Sequence, residues 1–395
     1  MKWNQRGHEL DEIAKKYLQV RTIYIWGSGK NGTDCINFLE WLKIDTDFSI
    51  YFVDSDPAKQ GMAHHGHPVL PPEELYERYD AASVVVSSNL EISEVLEEHD
   101  IPYFDLQISN CGKLLFVQHF VSVYMLYKYE KLISYWMDYN ATIRCSLNCQ
   151  GCLNFNNEIK HPKDESFANF KKHIDTVFQK IDLCYSVHFS GGESFLARDL
   201  PAMMRYLTNT YGTRIFDRFL ITSGTVRPSE DLLAAIQEGA YWVIIDDYRD
   251  TVPIAQKRIP ELTETFQKLG IRYTLPRADA WYDQEYGTDK YLSYSEEEMI
   301  VHRDTCNTFL QNCADGRFYS CCYEAYAYKA GVRDHADFID IAQSSKKEIL
   351  EYRFGYTEKG YVDMCRHCRG IGPDTKLIKP AVQIPRKYPA STAGV

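Results

Sequence analysis

The chain has 395 residues, 45% of them hydrophobic, which is too long for one ordinary core and ample for two or three. A formal net charge of -11, with the acids spread along the whole length, argues against an electrostatic footprint for nucleic acid or an anionic membrane. The opening MKWNQRGHELDEIAKKY lacks an apolar signal core, and the most apolar stretch, LLFVQHFVSVYMLYKYEKLISYW, is broken by Gln118, His119, Lys128, Glu130 and Lys131, so a cytoplasmic protein is expected. In such a compartment the 12 cysteines point to metal binding rather than to disulfides.

In chain order, RTIYIW reads as a strand, a helix runs from about Lys30 to Lys43, and SIYFVD is the next strand. SVVVSS, the helical LEISEVLEEH and PYFDL follow. Strand and helix in alternation imply a parallel sheet with crossover helices. The turn after the first strand is GSGKNG, with Gly27, Gly29 and Gly32, and the second strand ends at Asp54. This resembles the fingerprint of a dinucleotide-binding, Rossmann-like domain, in which the glycines seat a phosphate at a helix N-terminus and the acid binds a ribose. The plain alternative is that the glycines only pack strand against helix. His64, His65 and His67 lie in a Pro- and Gly-rich loop with no fixed acid or cysteine beside them, and read as an exposed loop rather than a metal site.

After Asn110 an apolar helix is expected to about Tyr135, and then the alternation resumes. ATIRC is followed by a helix around 167–181, SVHFSGG, a helix near 200–211, RFLITSG, a helix near 229–238, YWVIID, a helix near 254–269 and IRYTLPR. Phe167, Phe170, Ile174, Phe178 and Ile181 fall on one stripe, as a helix covering a sheet requires. A run of β/α units implies a partial or full barrel whose active face is at the C-terminal ends of its strands. CSLNCQGC lies past one strand end and HFSGGES past the next.

Thiolates hold iron-sulfur clusters, and a four-iron cluster takes one ligand per iron, so Cys145, Cys149 and Cys152 would leave one iron for a partner that is not protein. Catalytic zinc, which also keeps an open position, is the rival. CSLNCQGC resembles the CxxxCxxC loop of the radical S-adenosylmethionine (radical SAM) superfamily, and Gly191, Gly192 and Glu193 resemble its GGE motif, over roughly residues 138–300. The resemblance implies a [4Fe-4S] cluster on those three cysteines with SAM on its fourth iron, and reductive cleavage of SAM to a 5'-deoxyadenosyl radical. It also implies contact of the GGE segment with the methionine amino group, and a flavodoxin- or ferredoxin-type electron donor. The residue before the last cysteine, commonly aromatic in the family, is Gly151, which leaves adenine packing to another side chain such as Phe155. ITSG at 221–224 resembles the family's TNG strand end, making Ser223 and, by position, Asp246 candidate SAM contacts.

Farther on, Cys306, Gly316, Cys321, Cys365 and Cys368 are spaced like the SPASM/twitch extensions that follow such barrels. No cysteine follows Cys368, so the shorter twitch form fits best, with one auxiliary iron-sulfur cluster on Cys306, Cys321, Cys365 and Cys368. A structural zinc ribbon is the rival there. Cys322 could replace Cys321, and Cys313 is a candidate hydrogen-atom donor to a substrate radical or else a spare buried thiol; Cys35, Cys111 and Cys184 read as core.

The expected class is therefore α/β, with a Rossmann-like domain at 1–110, a helical linker at 111–137, a partial (β/α)6 barrel at 138–300, an auxiliary-cluster domain at 301–375 and a tail at 376–395. WGSGKNG, YFVDSDPAKQG and HPVLPPEEL resemble a nucleotide-binding-like domain that accompanies enzymes of surface polysaccharide and nucleotide-sugar biosynthesis. The expected activity is oxidation, epimerisation or dehydration of a sugar or nucleotide sugar, with a nucleotide as candidate ligand of the first domain. The alternatives are a peptide or protein maturase and a metal-binding protein without radical activity. A nicotinamide dehydrogenase built on GSGKNG would leave most of the cysteines unused.

Overall fold

The computed structural model describes residues 1–106, 115–286, 288–306, 314–372 and 374–387. The chain forms two compact units, Gln5–Tyr135 and Trp136–Val395, the second taking in Met1–Asn4.

In the first unit, five parallel strands lie in the order β3-β2-β1-β4-β5: β1 (Thr22–Trp26), β2 (Ser49–Val53), β3 (His67–Leu70), β4 (Ser83–Ser87) and β5 (Tyr103–Asp105), with Ala63–His64 antiparallel on the outer edge of β3. The order reverses between β1 and β4, as in doubly wound sheets. Apolar runs such as SVVVS, buried at every position, are what strands covered on both faces require. α1 (Lys30–Leu42) follows β1 and buries Cys35, Ile36, Phe38 and Leu39 on the sheet. The apolar segment expected to stay helical to Tyr135 does not. A π-helical turn at Phe116–Val121 runs into an α-helix at Ser122–Tyr129, which ends where Glu130 takes a left-handed φ of 56°. ISYW then belongs to the next strand, because a residue in that conformation closes the helix with its N–H on the last turn's carbonyls.

The second unit holds a sheet in the order β10-β9-β8-β7-β6: β6 (Ile133–Thr142), β7 (Leu183–Gly191), β8 (Ile215–Thr222), β9 (Trp242–Ile245) and β10 (Tyr273–Thr274), with β7 to β10 paired in parallel. The helices Phe167–Lys180, Leu200–Tyr211, Glu230–Glu238 and Pro253–Leu269 make the crossovers. Where six barrel strands were expected, five form one sheet among the described residues. Of the expected stripe, Phe170, Ile174, Phe178 and Ile181 are buried and Phe167 is half-buried, with Val177 adding to the buried face. Beyond the sheet, Arg317–Phe318 pairs antiparallel with Ile339–Asp340, a helix spans Cys322–Lys329, and Trp281–Tyr282 pairs antiparallel with Leu377–Ile378. No helix among the described residues is long and apolar enough to cross a membrane.

Candidate active site and cysteine cavities

At the C-terminal ends of β6 to β9 a cavity of about 440 Å³ opens, lined among others by Cys145, Cys149, Cys152, Gly191, Gly192, Ser223 and Asp246. The cysteine loop and the loop after β7 are joined by backbone: Gly192 N–H donates to Thr142 O (2.9 Å) and Glu193 N–H to Arg144 O (2.8 Å). That approach leaves no room for side chains. A Cβ on Gly191 would lie 2.2 Å from Thr142 O, and one on Gly192 2.0 Å from Arg144 O.

Each of the three sulfurs receives N–H donors. Leu147 N reaches Cys145 Sγ (3.4 Å), the Gln383 carboxamide reaches Cys149 Sγ (3.2 Å), and the backbone N–H groups of Asn154, Phe155 and Asn156 face Cys152. Burial nevertheless pushes all three thiols up, Cys149 to about 12, so in the absence of a cation they are neutral. Sulfurs aimed at by N–H groups yet held neutral by burial fit a thiolate-bound iron-sulfur group, whose metal displaces the protons. Among the described residues no three His, Cys, Asp or Glu side chains close on one ion-sized point; the thiols ring a space instead.

Glu193 is fully buried and does not line the cavity. Its carboxylate accepts from Thr222 Oγ1 (2.6 Å), Ser223 N (3.0 Å), Ser223 Oγ and Phe195 N (3.2 Å). Burial raises its pKa against those donors. Glu193 thus ties the end of β7 to the end of β8 and aims Ser223 at the cavity, while Gly191 and Gly192 form the wall. Asp246, past β9, is pushed up to about 6 by burial and accepts from Tyr248 Oη (3.0 Å). Phe155 is not in the lining. At a left-handed φ of 56° it buries its ring against Tyr286, with centroids 4.6 Å apart, and the cavity's aromatic wall is Tyr248, Trp281, Tyr282 and Tyr286 instead. Gly151 has its own explanation: with φ 65°, a Cβ there would sit 2.6 Å from Ile378 Cδ1. An aromatic residue would collide with the strand that packs on the loop.

Opposite the cysteines lies a group that the sequence reading did not single out. Asp138 and His188, both about 97–98% buried, meet at 3.0 Å (Oδ1 to Nε2). Asp138 also accepts from Ser190 and Tyr326 hydroxyls. Burial alone would raise the Asp138 pKa, but His188, Ser190 and Tyr326 outweigh it and hold the carboxyl below its usual range. The Trp136 indole N–H donates to the same His188 nitrogen at 3.1 Å and packs edge-on against the ring. His188 Nδ1 is buried without a hydrogen-bond partner, and the ring lines the cavity. Asp138 and His188 share strand faces with Ser134, Asn140 and Thr142 and with Ser186 and Ser190, and that row of polar residues alternating through buried strands was the available signal.

A second, smaller cavity of about 60 Å³ is lined by Cys306, Cys321, Cys365 and Cys368. Ile371 N donates to Cys306 Sγ and Gly370 N to Cys368 Sγ, both at 3.3 Å. Cys321 lines this cavity; Cys322 does not, and is buried in the neighbouring apolar cluster with Phe155 and Tyr326. Tyr323 borders both cavities. Cys313 and Cys111 lie outside the described residues. Cys35 and Cys184 are buried in α1 and β7.

In the first unit Gly27, Gly29, Gly32 and Asp54 do come together. A Cβ on Gly32 would lie 2.0 Å from Gly27 O, so this glycine serves close packing of strand and helix. Asp54 accepts from Ser28 N (3.0 Å), Ser28 Oγ, Asp56 N (3.0 Å) and Lys59 Nζ (3.0 Å). Burial raises its pKa, but these donors bring it to about 2. The carboxylate is thus bonded to its own loops. His64 accepts or donates to Thr33 Oγ1 (2.9 Å) and packs on Phe52.

No family model matches the chain, and no curated protein matches it. Among solved structures it is similar to BtrN in complex with AdoMet and 2-DOIA, at 14% identity and a TM-score of 0.41 over 61% of this chain and 95% of that one. It is also similar to anSMEcpe with bound AdoMet, at 15% identity and a TM-score of 0.39 over 58% and 81% of the two chains. A third is Streptococcus suis SuiB bound to precursor peptide SuiA, at 13% identity and a TM-score of 0.31 over 46% and 38%.

Proposed function

We propose that the protein is a radical SAM enzyme that removes hydrogen from a small hydroxylated substrate, a sugar or nucleotide sugar, with net oxidation, epimerisation or dehydration. The observation that carries this is the single cavity into which three thiols, the Gly191–Gly192 wall and Ser223 all open. Cys145, Cys149 and Cys152 would hold a [4Fe-4S] cluster, and Cys306, Cys321, Cys365 and Cys368 an auxiliary iron-sulfur cluster in a twitch-type region. When bound, the first cluster with SAM supplies one-electron cleavage of SAM and abstraction of a hydrogen atom.

The chain's own residues do the rest. Gly191 and Gly192 let SAM approach backbone, Ser223 and Asp246 offer an acceptor or donor to its polar groups, and the aromatic wall excludes water. His188, set between Asp138 and Trp136, presents an unpartnered Nδ1 that can hydrogen-bond a substrate hydroxyl. Ser190, Asn154 and Gln284 add neutral partners, and none of the described lining residues is Lys or Arg. That lining favours a neutral, hydroxyl-rich group in the cavity over a diphosphate. For the first unit we propose a nucleotide-binding-like scaffold in which ribose binding at Asp54 would require Ser28 and Lys59 to let go.

Anaerobic reconstitution with iron and sulfide, then reduction with SAM, should give 5'-deoxyadenosine, and a nucleotide-sugar panel should include a member that stimulates it. No stimulation by any sugar, with stimulation by a peptide, would replace this substrate class by the maturase reading. Absence of SAM cleavage at full iron content would sink the enzyme itself.

A further inference from the structure

Residues 376–387 were expected to be a tail, yet they are bonded along the cysteine loop. Leu377–Ile378 pairs with Trp281–Tyr282, and the chain then runs antiparallel to the loop through the bridge between Cys149 and Gln383. Gln150 N donates to Val382 O (2.8 Å), Ile384 N to Asn148 O (3.0 Å) and Asn148 Nδ2 to Ile384 O (2.8 Å). The Arg386 guanidinium reaches the carbonyls of Cys145, Ser146 and Leu147 at 3.1–3.3 Å. Lys387 pairs with Glu158 at 2.7 Å.

Within this strap one side chain touches a sulfur. Gln383 Oε1 accepts from Asn148 N (2.8 Å), which fixes the amide's orientation, and Nε2 then donates both to Ala381 O (2.8 Å) and to Cys149 Sγ (3.2 Å). Were the amide turned over, Asn148 N would face a donor and Cys149 an acceptor, so the network admits one arrangement.

We propose that Gln383 is a positioning residue for the metal centre: from the C-terminal strap it donates a hydrogen bond to Cys149 Sγ and so raises the reduction potential of the cluster that the three cysteines hold. The inference rests on the cluster reading above. Reduction adds negative charge that is shared by the thiolate sulfurs, and a fixed N–H donor stabilises the reduced form more than the oxidised one. Arg386 holds the loop's carbonyls and touches no sulfur, but its guanidinium charge also favours the Cys149 thiolate, so it acts on the site through charge as well as through the loop's shape.

The test compares the full chain with Gln383→Leu, Gln383→Glu and Arg386→Ala after anaerobic reconstitution. Iron per chain is measured, and the midpoint potential of the electron-spin signal that Cys149→Ala removes is titrated. Gln383→Glu keeps an acceptor for Asn148 N, so the strap stays docked if the leucine variant does not fold. At equal iron content both Gln383 variants should titrate at a more negative potential than the wild type, and Arg386→Ala should lose iron occupancy. Equal potentials for the wild type and both Gln383 variants would overturn the inference and leave the cluster reading standing. If the wild type takes up no iron at these cysteines, the cluster reading and the potential claim fall together. The strap contact has its own readout in the metal-free chain, where loss of the N–H donor that favours the thiolate should make iodoacetamide modify Cys149 more slowly in the Gln383 variants than in the wild type. An unchanged rate would remove the contact on which the inference stands.

Discussion

The two parallel sheets solve one local problem in the same way and put it to different use. In each, an acid past a strand end accepts from a neighbouring loop: Asp54 takes Ser28 in the first unit, and Glu193 takes Thr222 and Ser223 in the second. Around Asp54 the donors are closed by Lys59, so the carboxylate has become part of the framework. Around Glu193 the same bracing holds Ser223 at the edge of a cavity that also takes in three thiols. A glycine turn and an acid at the right distance therefore mark a braced strand end in both units. What opens beside it decides whether chemistry follows.

The largest expected effect separates the two most sharply. Cys149→Ala should abolish SAM cleavage and lower iron by about one cluster per chain, as read by 5'-deoxyadenosine yield and iron assay, whereas Asp54→Ala should leave both in place. Next, Cys321→Ala should lose the iron of the second cavity and Cys322→Ala should keep it. Equal losses would mean that the lining does not distinguish the two.

The braces differ in strength because their burial differs. Glu193→Ala strands Thr222, Ser223 and the Phe195 N–H in a buried place, and should cost about 3–5 kcal/mol in denaturant unfolding. Asp54→Ala returns the half-exposed Lys59 to water and should cost about 1–3 kcal/mol.

The effect of pH runs in opposite directions in the two units. Burial depresses His119 to about 4 in the first unit, so its contribution is fully present above the unfolded value near 6.5 and is lost as pH falls through 4, by roughly 3 kcal/mol. Asp246 in the second unit is raised to about 6, so its contribution is present below the unfolded value of 3.8 and is lost as pH rises through 6, again by roughly 3 kcal/mol. Between pH 4 and 6 the two slopes oppose each other, so relative to the wild type the melting temperature should fall with rising pH in His119→Gln, which leaves the Asp246 slope alone, and rise in Asp246→Asn, which leaves that of His119.

Much of the architecture was legible because its signals are local. The alternation of apolar strands with striped helices placed β1, β2, β4, β5 and β7 to β10 and their crossovers closely, though β3 lies where an exposed loop was expected and β6 starts inside the expected helix, and the cysteine spacing pointed to two groups that the structure gathers round two cavities. What escaped were contacts made at long range. The left-handed Glu130 ended a helix that hydropathy alone would have extended. Phe155 was assigned a ligand-facing place by proximity to the cysteines, but its backbone conformation turns it into the core. Asp138 and Tyr326 are 188 residues apart, and Gln383 and Cys149 are 234 apart. No window along the chain contains either pair.

Tyr323 gives the two cavities one wall between them, which has a consequence for how the sites report on each other. A bulky occupant of the larger space must press on the ring that bounds the smaller one. If the smaller cavity holds the proposed auxiliary cluster, ligand arrival in the larger one should be audible from the far side, as a change in the line shape of that cluster. A phenylalanine at that position would keep the wall and remove only its hydroxyl, and a smaller residue would join two rooms into one.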